Sequence, residues 1–291
     1  MPAMNQTKRI GFIGLGSMGA GMAHCLLRKG HALRVYARRA DVAKPFADAG
    51  AQVAGSPAAL GGDCDLVFLC VSDAPAVEEV LFGAQGLTGT LASGGVVVDT
   101  STIAATDARR FGERLAAKGI TLLDAPVSGG QQGARDGTLG CMVGGPKDVV
   151  DACREVMGAF CKTITHVGEL GAGQTVKACN QVAVSACLLG VVDAIALARA
   201  QGIDPALMRD VLLTGSGRSV ALERQAQRII DGDFKPGFRA SLMRKDLRIA
   251  LEAAKATGTV LNATPVVEKL LDDLCRNGGE DADWIAIARR R

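Results

Sequence analysis

The feature that most constrains this chain is an apolar run, Arg9–Gly14, that stops at Gly14-Leu15-Gly16-Ser17-Met18-Gly19 and passes into helical spacing over Gly19–Gly30. A strand that ends on GxGxxG and opens a helix is the first half of a βαβ unit. The rhythm then repeats. Leu33–Ala37, Asp65–Val71, Val96–Ser101 and Ile120–Val127 read as strands, separated by helical or turn-rich sequence, and Gly140–Gly144 and Thr163–Val167 continue the series. Near-continuous apolar strands alternating with helices call for a mostly parallel, doubly wound sheet covered on both faces, an α/β Rossmann domain.

Beyond Gly168 the strand patterns vanish. Gly173–Gly202, Pro205–Leu213, Val220–Asp231, Ser241–Thr257 and Pro265–Asn277 all carry helical spacing. The sequence therefore predicts a Rossmann domain over 1–168 and an all-α domain over 169–291. No Pro/Gly/Ser-rich hinge lies between them, so a long interdomain helix is expected. The 291 residues fit two domains at about 150 residues each.

The glycines point to a dinucleotide. Gly14 permits a tight turn, Gly16 lets the backbone approach a pyrophosphate, and Gly19 packs helix against strand. Together with Ser17 and Met18 they present the N–H groups of a helix N-terminus to the phosphates. At the tip of the second strand, an acid would bind the ribose hydroxyls of NAD. The chain instead has Tyr36-Ala37-Arg38-Arg39, with no acid before Asp41. Arg38 and Arg39 suit a 2′-phosphate, so NADP is expected ahead of NAD; the alternative is that they are solvated loop charges.

Composition removes other classes. A net charge of +3 with 3% aromatics leaves little for a nucleic-acid reader or a polybasic membrane binder. Nine cysteines, odd in number and without a CxxC, and three ungrouped histidines predict reduced thiols, no metal site and a cytoplasmic setting. The N-terminus, with Lys8-Arg9 and a short apolar stretch, does not read as a signal peptide. The most apolar helical stretch, Val182–Val192, is about 11 residues and short of a membrane span. The tail Arg289-Arg290-Arg291 reads as a frayed, solvated terminus.

The second half offers one informative helix face. Gln174, Lys177, Asn180 and Gln181 share a face, on a segment otherwise built of Val, Ala, Cys, Leu and Gly. They either face solvent or line a wet cleft, and a solvated face would carry more charge. Hydride chemistry on a carbonyl needs a proton donor. Tyr36 has Ala40 four residues on, which excludes a Tyr-x-x-x-Lys arrangement, and His24, His31 and His166 are scattered. Lys177 is left. A lysine titrates near 10.4 in water, and desolvation or a second cation such as Lys245 would lower that. Val96–Ser101 runs on to Thr102, and Ile120–Val127 ends in Ser128-Gly129-Gly130, whose consecutive N–H groups and hydroxyl suit a carboxylate. A plain turn is the alternative there.

With these residues in view, the chain resembles the β-hydroxyacid dehydrogenase family, the group of 3-hydroxyisobutyrate dehydrogenase, tartronate semialdehyde (2-hydroxy-3-oxopropionate) reductase and succinic or glyoxylic semialdehyde reductases. The matching stretches are Gly11–Ala23, Asp99–Thr102, Asp124–Leu139, Gly171–Gln181 and Pro236–Leu247. The resemblance implies that Lys177 is the catalytic lysine and Asn180 its hydrogen-bonding companion. It implies that Ser128, Gly129 and Gly130 hold the substrate carboxylate and that Thr102 lies between substrate and cofactor. Phe238, Lys245 and Asp246 would close over the nicotinamide, Phe238 and Asp246 also meeting substrate. Cys70, Val71 and Pro75 would flank the cofactor, where many members have Leu-Pro and Asn. The resemblance further implies a homodimer or homotetramer, and the Lys-x-x-Asn-Gln form is most like tartronate semialdehyde reductases. Two rivals are an imine reductase, whose relatives generally lack a lysine at Lys177, and a non-catalytic NADP-binding module.

Overall fold

A computed structural model describes residues 8–290, the last by its backbone only. The first seven residues, on which the expectation of no signal peptide partly rests, and Arg291 fall outside them. The elements in chain order are β1 (Ile10–Ile13), α1 (Gly19–Arg28), β2 (Leu33–Tyr36), α2 (Ala40–Asp48), β3 (Gln52–Val53), α3 (Pro57–Gly61), β4 (Leu66–Leu69) and α4 (Ala74–Phe82). Then come β5 (Val96–Asp99), α5 (Ala105–Ala116), β6 (Thr121–Asp124), β7 (Val127–Ser128), α6 (Gly130–Asp136), β8 (Leu139–Gly144), α7 (Lys147–Met157) and β9 (Cys161–Gly168). The α-helices that follow are α8 (Ala172–Ala200), α9 (Pro205–Leu213), α10 (Val220–Ile230), α11 (Ala240–Thr257) and α12 (Thr264–Leu274).

The strands form one sheet in the order β3-β2-β1-β4-β5-β6-β8-β7, with β9 beside β8. β1 through β6 are parallel, and β1 sits between β2 and β4 with Phe12 opposite both Val35 and Phe68. The order reverses at β1, so the ends of β1 and β4 make the crevice where open α/β sheets bind ligands. Every residue of β1 and β4 is buried, as the unbroken apolar runs require.

The strand read over Ile120–Val127 is two strands. β6 ends at Asp124; Pro126, which lacks an N–H to give a ladder, accepts from the Met142 N–H instead. The chain resumes as β7, antiparallel to β8. β3 and α3 are too short to announce themselves, and α2 runs through Pro45, which normally discourages a helix.

The chain divides into two compact units, Met1–Lys177 and Ala178–Arg291, and α8 carries it from one to the other. The core of the helical unit gathers Leu188, Val192 and Ile195 of α8 with Leu222, Leu247 and Trp284. α8 matches the helix expected over Gly173–Gly202, but its apolar window corrects the sequence estimate. Stopping the apolar stretch at Asp193 left out Ala194–Ala198 (AIALA), and the helix holds an 18-residue window of mean hydropathy 2.0, long and apolar enough by composition to cross a membrane. Its buried face is nonetheless the spine of a folded core. The basic tail is also corrected. Trp284–Arg290 forms a final short helix, and the Arg289 guanidinium lies 4.3 Å from the Phe234 ring centre.

Candidate active site

The glycine loop is built as its spacing requires. Gly14 has φ of +96°, and a Cβ there would strike the Cys70 carbonyl. A Cβ on Gly19 would run into the Gly14 carbonyl oxygen, so α1 can approach β1 only with glycine at both places. At Gly16 the opposite holds: nothing lies within 4 Å of the Cβ position, and Gly16 and Ser17 are exposed. Met18, at the start of α1, supplies no side-chain cap. An open backbone and an uncapped helix N-terminus fit a pyrophosphate. Cys70 backs the loop. Its thiol meets the Gly19 N–H and the Thr100 hydroxyl, and burial pushes it up to about 11, so it is a neutral packing group at pH 7. The Val71 N–H donates to Ser101 Oγ at 2.9 Å, while Pro75 is exposed in the first turn of α4, which Asp73 caps. Arg38 is exposed and makes no ion pair among the described residues; Arg39 is exposed, with Asp41 at 3.9 Å.

The β5 and β6 ends are joined to the start of α8 by a compact polar frame. Asp124, 0% exposed, accepts from the Gly171 N–H through Oδ1 and from the Gln174 N–H through Oδ2, both at 2.7 Å. A carboxylate on the adjacent strand thus does for α8 what an N-cap side chain does. Loss of hydration raises the Asp124 pKa, and those backbone donors oppose the rise. Gly144 and Gly173 make room: a Cβ on Gly144 would meet Asp124 Oδ1, and one on Gly173 would sit 2.9 Å from Oδ2. Gln174, 1% exposed, then reaches the loop after β5. Its Nε2 donates to the Ser101 carbonyl at 2.8 Å, and its Oε1 accepts from the Ile103 N–H at 3.1 Å. Thr102 lies between those two residues. One turn on, Lys177 is 7% exposed, so the face of α8 that could have been solvated is not. Ser128 ends β7, and Gly129 and Gly130 follow with φ of +135° and +68°, a turn only glycine makes easily.

In the helical unit a second polar network holds the remaining candidates. The Asn180 amide donates to Gln181 Oε1 at 2.8 Å, and Gln181 Nε2 donates to Asp246 Oδ2 at 2.7 Å. Lys245 Nζ lies 3.1 Å from Asp246 Oδ1. Both Asp246 oxygens are therefore engaged, one orienting the carboxamide pair and one facing Lys245. Phe238 is held from behind. Asp283, 1% exposed, accepts from the Gly237 and Phe238 N–H groups and faces Arg228, while the Trp284 N–H donates to the Phe238 carbonyl.

Comparison with known proteins decides the family. Residues 9–168 match the NAD binding domain of 6-phosphogluconate dehydrogenase, and 171–290 match the NAD-binding domain described for NADP-dependent 3-hydroxyisobutyrate dehydrogenase. The 2-hydroxy-3-oxopropionate reductase of Escherichia coli K12 is 39% identical over 281 residues, covering 97% of this chain and 96% of that one. The chain belongs to the β-hydroxyacid dehydrogenase family. A 3-hydroxyisobutyrate dehydrogenase from Salmonella typhimurium superposes with a TM-score of 0.89 at 29% identity, over 98% of this chain and 100% of that one. Psf3, solved with NADP+ and 2-OPP, superposes with a TM-score of 0.88 at 28% identity, over 97% and 99%. The protein is an NAD(P)-dependent oxidoreductase acting on CH–OH groups, with the Rossmann architecture its strands predicted.

Four polar residues of this β-hydroxyacid dehydrogenase escaped the sequence reading of roles. Asp124 was visible only as a member of a motif and Gln174 only as one carboxamide on the polar face of α8, and Ser101 and Asp283 had no signal as supports. Asp124 offered one: an acid at the end of an apolar strand, whose oxygens are cleared by Gly144 and Gly173.

Proposed function

We propose that the enzyme reversibly reduces a small 3-oxo acid, a semialdehyde such as tartronate semialdehyde, to the 3-hydroxy acid, with NADP preferred over NAD and Lys177 as general acid and base. The observation that supports this most is the burial of Lys177 one helical turn beyond Gln174, whose side chain grips the backbone on both sides of Thr102. The similarity to the Escherichia coli reductase supports the substrate class.

Bound NADPH supplies the hydride. In reduction Lys177 Nζ gives a proton to the substrate carbonyl oxygen; in oxidation it removes the hydroxyl proton, an effect worth about 10²–10⁴-fold. The Ser128 hydroxyl and the Gly129 and Gly130 N–H groups hold the substrate carboxylate, and Thr102 separates substrate from cofactor. Asn180, its amide turned by Gln181, orients the reacting oxygen with Lys177. Phe238 and Lys245 serve the nicotinamide side, with Asp246 fixing Lys245. Gly14, Gly16, Ser17, Met18 and Gly19 cradle the pyrophosphate, Cys70, Val71 and Pro75 flank the adenosine side, and Arg38 and Arg39 take the 2′-phosphate. A homo-oligomer is expected, because Leu197 of α8 and Leu207 and Val211 of α9 leave large apolar side chains exposed and α9 buries none of its residues. A cytoplasmic setting suits free thiols.

The test is NADPH and NADH oxidation against tartronate, methylmalonate and succinic semialdehydes and glyoxylate, with Lys177→Ala as control. Turnover of tartronate semialdehyde that falls at least about 10²-fold in the variant, with NADPH affinity kept, is expected. Full turnover by Lys177→Ala would refute the lysine's role. A clear preference for methylmalonate or succinic semialdehyde would reassign the enzyme to a 3-hydroxyisobutyrate dehydrogenase or a succinic semialdehyde reductase.

A further inference from the structure

We propose that Gln174 is a positioning residue for this reaction: its carboxamide brackets Thr102, and its place on α8 holds Lys177 in the same frame. The proposal rests on the role given to Lys177 above. Residues 101 and 103 are 73 and 71 positions from Gln174 in sequence, and its one side chain is bonded to both. A carboxamide carries one acceptor and two donors in a plane. It therefore matches a carbonyl on one side of Thr102 and an N–H on the other, which neither a carboxylate nor an ammonium can do. The fit is tight, at 2.8 and 3.1 Å and fully buried.

The bracket is itself anchored. The Gln174 main chain donates to Asp124 at the end of β6, so side chain and backbone fasten to neighbouring strands. Ser101 in turn accepts from the Val71 N–H through Oγ and donates its own N–H to Asp99 at 2.9 Å. One line of hydrogen bonds thus runs from the loop flanking the cofactor, past Thr102, to the first turn of α8. Lys177 lies three residues on, about 4.5 Å along the helix axis. Backbone drift at Thr102 and drift of the lysine are suppressed by the same group. Misplacing a reacting group by about 1 Å can cost on the order of 10²-fold in rate.

Gln174→Glu tests this with one atom changed. Ionised, the glutamate still accepts from Ile103 but turns an oxygen towards the Ser101 carbonyl; protonated, it restores a donor there. Burial keeps such a carboxyl protonated to higher pH than in water. In the direction of tartronate semialdehyde reduction, Gln174→Glu is expected to lose about 10-fold or more in kcat at pH 8. Its ratio to the native enzyme should recover as the pH falls to 6, with KM and NADPH affinity changed less than about threefold, the split expected of a lost transition-state alignment. Hydrogen exchange gives a readout without turnover. The Ile103 amide should stay protected in Gln174→Glu and lose protection in Gln174→Ala. A native kcat for Gln174→Glu at pH 8, a deficit independent of pH, or an Ile103 amide unmoved in Gln174→Ala would each overturn the proposal. If Gln174→Ala does not fold, Gln174→Glu alone carries the test. Lys177→Ala separates the two readings: full turnover there removes the lysine's role, whereas its inactivity beside an unaffected Gln174→Glu removes only the bracket.

Discussion

Asp124→Ala should destabilise the Rossmann unit far more than removal of a lone acid usually does. The carboxylate is fully buried and accepts two backbone N–H groups at 2.7 Å each, those of Gly171 and Gln174. Alanine leaves both donors buried without an acceptor, and each such orphan costs about 1–3 kcal/mol. The expected loss is about 4 kcal/mol, a large part of the 5–15 kcal/mol typical of a folded domain. With a urea slope of about 2 kcal/mol/M, the midpoint followed by far-ultraviolet circular dichroism should fall by about 2 M. A shift below about 0.5 M would mean that the two bonds contribute nothing net. Asp124→Asn should recover at most half, because its amide offers one acceptor and turns a donor towards the second N–H. The pH dependence supplies a sign. Burial raises the Asp124 pKa, so the folded chain holds that proton more tightly than the unfolded one. Its contribution then grows as pH falls from the folded value to the ordinary aspartate range, and is flat outside that window. The lead of the native protein over Asp124→Asn should therefore widen between pH 7 and about 4. Asp65, Glu78 and Asp151, held low by Arg9, Arg114 and Lys147, lose stabilisation on the same descent in both proteins and cancel. A gap that narrows would refute the reasoning.

Three further outcomes are expected. Arg38→Ala should raise the Kd for NADPH by about 10-fold, the scale of one lost charge-assisted bond, and leave NADH within about twofold; equal loss of both, by fluorescence titration, would exclude the 2′-phosphate contact. Gly19→Ala should abolish NADPH binding, since the added methyl meets the Gly14 carbonyl and must push α1 from β1; near-native affinity would show the loop to be softer than it looks. The double change Leu207→Asp, Val211→Asp should convert a native oligomer to a monomer by light scattering; a native protein already monomeric would exclude the α9 face as an interface.

Much of this was legible in the sequence, and for physical reasons. Strands buried on both faces cannot avoid being apolar throughout, so β1, β4 and β5 stood out, and the glycine loop followed because backbone crowding leaves no other residue. α9 was read at its true ends because Asp204 caps it and Pro205 starts it. The site was legible as residue types and not as bonds. Lys177 emerged because it is the one charge on an apolar face. Gln174 looked like one more carboxamide on that face, since nothing local records that its partners lie some seventy residues upstream. Asp246 illustrates the same limit: the motif offers it as a candidate contact with ligand, and nothing local records that its oxygens meet Gln181 and Lys245.

The distribution of aromatic side chains has a practical side. Trp284 is the chain's single tryptophan, buried in the helical core against which Phe238 packs and bonded through its main-chain N–H to the Phe238 carbonyl, while the single tyrosine, Tyr36, ends a strand of the other unit. Emission excited at the indole therefore originates beside the strap that carries Phe238 and nowhere else. The enzyme comes with its own optical probe at one of its candidate contacts with the nicotinamide, already in place without any labelling.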